Sequence, residues 1–70
     1  MKFRDVVRIL EANGFVLSRH HGTSRRQYRG TIGGQVRYQT IACHSQGDDV
    51  KAKTLASIVR QSGLPKKIFR

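Results

Sequence analysis

Residues 24–43 read SRRQYRGTIGGQVRYQTIAC, and the Gly33-Gly34 pair inside them decides the fold. Two adjacent glycines between strand-like segments suit a tight hairpin, because both take positive φ without steric cost. Before the pair, Ser24 to about Arg29 reads as a polar strand carrying Arg25, Arg26, Gln27 and Tyr28, with Gly30 read as part of the reversal. After it, Gln35 to Cys43 contains Val36, Tyr38, Thr40 and Ile41, residue types that fit a pleated, half-buried surface.

Working outward toward the N-terminus, His21, Gly22 and Thr23 form a turn, and Phe15 to His20 alternates as a strand. Phe15, Leu17 and Arg19 fall on one face of that strand and Val16, Ser18 and His20 on the other. Ahead of it, Phe3, Val6, Val7 and Leu10 recur at i, i+3, i+4 and i+7, the stripe of an amphipathic helix from about Lys2 to Asn13 that Gly14 closes. Toward the C-terminus, His44 to Val50 is a loop in which Asp48 or Asp49 is placed to cap a second helix. Ala52, Leu55, Ile58, Val59 and Ser62 line one face of that helix, and Gly63 and Pro65 end it.

The chain therefore reads as α+β in the order helix, strand, strand, strand, helix, an antiparallel three-stranded sheet with both helices on one face. Seventy residues hold one domain, 1–70, with 65–70 as a short basic tail. Lys+Arg 14 against Asp+Glu 4 leaves a net charge of +10, a field that attracts polyanions, of which nucleic acids are the commonest in the cytosol. Cys43 is the single cysteine, so no intramolecular disulfide forms and no paired-cysteine metal cluster is available. Arg4, Asp5 and Arg8 interrupt any secretory leader, and no run approaches the roughly 20 apolar residues of a membrane span, so the expected address is cytoplasmic, with no membrane partner. His20, His21, Cys43 and His44 lack the CxxC or HxxxH spacing of a metal site, and Asp48-Asp49 reads as helix-capping acids rather than magnesium ligands. No metal and no cofactor is expected.

Helix, three antiparallel strands, helix is also the order of double-stranded-RNA-binding domains. The local strings narrow this: Gly14-Phe15, Arg26-Gln27-Tyr28, Thr40-Ile41-Ala42-Cys43-His44, and residues 54–64, TLASIVRQSGL. Together they resemble the HicA family of toxins over nearly the whole chain. The resemblance implies a dsRBD-like fold and a metal-independent endoribonuclease, or mRNA interferase, of a type II toxin–antitoxin system. It also implies mRNA as substrate and a HicB-like antitoxin as partner.

Members of that family carry a catalytic histidine after a glycine and a small hydroxyl residue at the start of strand 2. Here the segment is Gly22-Thr23-Ser24-Arg25-Arg26-Gln27-Tyr28. Counting back from Arg26-Gln27-Tyr28 places the histidine position on Arg25, the favoured alignment, and counting forward from Gly22 places it on Ser24. Arginine stays protonated and cannot act as base, and a serine hydroxyl needs a base beside it, so cleavage is expected to be impaired. His20, His21 and His44 are the candidates to substitute. Arg19, Arg26 and Arg37 on the sheet, with Lys51 and Lys53 at the start of helix 2, are the expected RNA contacts. Tyr28 and Tyr38 are read as core residues first and as base-stacking residues second. The alternatives are a noncatalytic RNA-binding module and a basic protein-interaction domain.

Overall fold

Phe3, Val6, Val7 and Leu10 are all buried in helix α1 (Phe3–Ala12), as their spacing predicts. Full burial of side chains such as Val6 and Leu10 contributes roughly 1.5–3 kcal/mol each. At the start of α1, the Lys2 backbone N–H donates to the Asp5 carboxylate at 3.0 Å. At its end Gly14 turns to φ +89°, its N–H reaching the Glu11 carbonyl at 3.2 Å while the Phe15 N–H reaches the Leu10 carbonyl at 3.0 Å. These two bonds form a Schellman closure, which only a residue at ease with positive φ permits, and they aim Phe15 into the core beside Leu10.

The computed structural model describes residues 1–21, 25–42 and 47–69. Strands β1 (Val16–His21), β2 (Arg25–Ile32) and β3 (Gln35–Ala42) form one antiparallel sheet in the order β1-β2-β3. Gly33 and Gly34 sit at φ +59° and +82° between Ile32 and Gln35, which pair, so the hairpin is the predicted two-residue turn. Helix α2 (Ala52–Ser62) follows, then a 3₁₀ turn at Lys66–Phe69. One face of the sheet supplies Tyr28 and Ile41 to a single core shared with Val6, Leu10, Ile58 and Phe69, so both helices cover the same side. Among the described residues nothing packs over the other side.

Four expectations are corrected. Gly30 belongs to β2 rather than to the turn; a Cβ there would lie 2.8 Å from the Phe15 ring, so its bare backbone is the seat of that ring. Neither Asp48 nor Asp49 caps α2, whose N-cap is Lys51 with no side-chain bond. The two acids anchor the other end of the chain instead: the Asp48 carbonyl accepts from the Phe3 N–H at 3.0 Å and Asp49 pairs with Lys2 at 3.3 Å. Tyr28 is core, but Tyr38 is exposed.

The fourth correction concerns β1, whose strict alternation fails. The register shifts between Leu17 and Arg19, so Ser18 is an extra residue opposite β2. Its hydroxyl donates to the Gln27 carbonyl at 3.3 Å. Past this bulge the strand is out of phase with its first half, so Arg19 shares a face with Val16 rather than with Phe15 and Leu17.

Candidate functional site

Cross-strand partners share a face, so the register writes out the open side of the sheet row by row. Val16, Arg29 and Tyr38 form one row, Arg19, Gln27 and Thr40 the next, and Arg25 with Ala42 the one beyond. Thr31 and Val36 continue it on the other side. Arg19, Arg25 and Arg29 are all exposed, and so are Val16, Val36 and Tyr38. No Asp or Glu occurs in any strand; all four acids, Asp5, Glu11, Asp48 and Asp49, lie in α1 or just before α2. The charge on this face is thus all positive, and exposed Val16, Val36 and Tyr38 stand among its arginines.

Arg25, where the favoured alignment expects the family histidine, opens β2 on this open face. Its cross-strand partner in β1 is His21, whereas His20 pairs with Arg26 on the helix side. Of the candidate substitutes, His20 is therefore on the opposite side of the sheet from Arg25. Ser24 and His44 lie outside the described residues, as does Cys43.

The five expected RNA contacts are not on one surface. Arg19 is on the open face, where the bulge aims it. Arg26 and Arg37 are half-buried and face the helices with Tyr28, Gln39 and Ile41. Arg37 donates to Gln35 Oε1 at 3.3 Å and packs its guanidinium over Gly63, where a Cβ would come within 2.6 Å of Nε. A cation at the C-terminal end of α2 also complements the helix dipole, so this side chain fastens α2 to β3. Lys51 and Lys53 are exposed at the first turn of α2. Arg29, which sequence reasoning passed over, is central to the open face; strict alternation from Arg25 along β2 is the signal that finds it.

The family model described as "HicA toxin of bacterial toxin-antitoxin" matches residues 3–64, nearly the whole chain. The chain belongs to the HicA toxin family. It is accordingly a toxin component of a bacterial toxin–antitoxin system, built on the α+β fold set out above. No curated protein and no solved structure gave a match. The part of this HicA chain that the family model covers includes both helices, the sheet and the Gly63-Leu64 stop, and leaves out the 3₁₀ turn at Lys66–Phe69. Among its described residues no group of three or more His, Cys, Asp or Glu side chains is placed to hold a metal ion, and no helix is long and apolar enough to cross a membrane.

Proposed function

We propose that this HicA-family toxin is an RNA-directed protein of the cytosol, an mRNA interferase whose cleavage step is weakened at the position of the family histidine. The observation that carries this reading is the open face of the sheet, where Arg25 stands exposed in line with Arg29 and beside Arg19, with no acid on any strand. Metal-free cleavage of RNA uses the neighbouring 2′-hydroxyl as nucleophile. A protein group must take its proton, another must protonate the leaving oxygen, and the phosphate must be held as its charge grows. Arg25 meets the last need, since a guanidinium offers forked donors to phosphate oxygens at any physiological pH. It does not meet the first. Its partner in the system is an acidic, HicB-like antitoxin that neutralises the same basic face.

Loss of one general acid or base slows such a reaction by about 10² to 10⁴. The test is a cleavage and growth-arrest assay on the unaltered chain, Arg25→His and Ser24→His, each with and without a chelator. The expected result is weak cleavage by the unaltered chain and a rise of that order in Arg25→His, insensitive to chelation. His21→Ala run in parallel asks whether the histidine across from Arg25 accounts for residual activity. Vigorous cleavage by the unaltered chain sinks the impairment argument, and its loss in His21→Ala would assign the step to His21. The missing histidine also favours a second reading, a noncatalytic RNA-binding module. Tight RNA binding with no rescue by either histidine would select it.

A further inference from the structure

The open face has a feature that charge does not explain. Tyr38, Val16 and Val36 are 53%, 60% and 57% exposed, although burial of such side chains is what stabilises a chain this small. Three of the four exposed large hydrophobics share this face, Leu17 alone being on the helix side, and such a grouping marks an interaction surface. Their arrangement is specific: Arg29 is the central residue of a three-strand row with Val16 on one side and Tyr38 on the other. With neighbouring strands about 4.8 Å apart, that row is about 10 Å long. Arg25 and Arg29, four residues apart on β2, are separated by about 13 Å along the strand.

We propose that this row is a stacking platform for unpaired bases of single-stranded RNA, with Tyr38 as the stacking side chain and Arg29 as its companion. It rests on the RNA-directed reading above and adds to it the state of the RNA and the residue that senses it. An exposed phenol ring offers a face on which any base can stack, and a guanidinium beside it binds phosphate or stacks in turn. In a duplex the base faces are covered by their neighbours, and a protein reaches only phosphates, hydroxyls and groove edges. An open sheet face presenting an aromatic ring among arginines, with no acid on any strand, therefore suits a single strand.

The chain contains two tyrosines and no tryptophan, so its emission is the sum of buried Tyr28 and exposed Tyr38, and the part of any quenching that Tyr38→Phe removes reports on Tyr38. The experiment titrates the full chain with a fluorescein-labelled, 2′-O-methylated 12-nucleotide single strand, which cannot be cleaved, and follows both anisotropy and tyrosine quenching. Tyr38→Ala should weaken binding about 5- to 100-fold without changing the salt dependence, because stacking releases no counterions. Tyr38→Phe should keep the affinity and lose the quenching. Arg29→Gln should lower the slope of log affinity against log salt by about 0.7. A duplex of the same sequence should compete poorly.

Wild-type affinity in Tyr38→Ala, undiminished quenching in Tyr38→Phe, or equal competition by the duplex each overturns the proposal. So does a dimer that Tyr38→Ala converts to a monomer, which would assign the face to a second copy. If RNA binds and Tyr38 is indifferent, only the platform fails; if the unaltered chain binds no RNA at all, the RNA-directed reading fails with it.

Discussion

Replacing Gly30 by alanine adds a single methyl group to the middle of β2 and should unfold the protein measurably earlier. A Cβ at Gly30 would lie 2.8 Å from both Cγ and Cδ1 of Phe15 and 3.0 Å from Cδ2. Carbon atoms prefer about 3.5–4.0 Å, so the ring must retreat by roughly 0.7–1 Å. Phe15 is only 1% exposed and packs in the core with Leu10, which leaves it nowhere to go. Overpacking of this kind costs about 1–3 kcal/mol, and alanine recovers about 0.5–1 kcal/mol by restricting the unfolded chain, since Gly30 is not among the positive-φ glycines. The net loss, centred on about 1 kcal/mol and at most about 2.5 kcal/mol, corresponds to a fall in Tm of about 4–8 °C at the centre for a domain of this size. Thermal and urea melts followed by circular dichroism measure it. Phe15→Leu is the control: with the ring gone, Gly30→Ala should cost at least about 1 kcal/mol less than it does in the parent chain. An unchanged or raised Tm in Gly30→Ala, or an equal cost in both backgrounds, would refute the assignment of Gly30 as the seat of Phe15.

Two further substitutions probe the C-terminal half. Gly63→Ala combines a left-handed backbone at φ +73° with a Cβ 2.6 Å from Arg37 Nε, and should destabilise by about 1–2 kcal/mol in urea titration; Arg37→Ala should relieve the contact and leave the backbone cost. Phe69→Ala removes a ring that is 3% exposed and should cost about 3–5 kcal/mol, read as a lowered urea midpoint and faster limited proteolysis.

Where a fold element depends on near neighbours, the sequence showed it plainly. The stripe on α1, the glycine closures at Gly14 and Gly63 and the Gly33-Gly34 turn are all local patterns, and all are present. Gly30 reads as part of the turn because it stands near one, whereas the reason for it is Phe15, fifteen positions away. Asp48 and Asp49 have the chemistry of caps, yet the first three residues of the chain reach them before α2 does. Phe69 lies in a segment that reads as a basic tail, where Lys66 and Lys67 mask two residues, Ile68 and Phe69, that pack against the core. At the candidate site, Arg25 and Arg19 were legible by residue type, but their common face was not. It depends on the extra residue Ser18, and no alternating pattern announces a bulge. By charge alone Arg37 and Arg26 belong with Arg19 in solvent, whereas the pleat turns them toward the helices.

The segregation of charge has a thermodynamic side as well. Arg19, Arg25, Arg26, Arg29 and Arg37 are brought onto three adjacent strands with no acid among them, while the acids stay with α1 and the approach to α2. Closing the sheet therefore does work against its own like-charge repulsion, most of all in dilute salt where the screening length is long. A polyanion that settles on the sheet removes that repulsion and binds the folded chain better than the unfolded one, so occupancy and stability rise together. On the proposed function, then, the free toxin carries a charge repulsion that its bound state relieves.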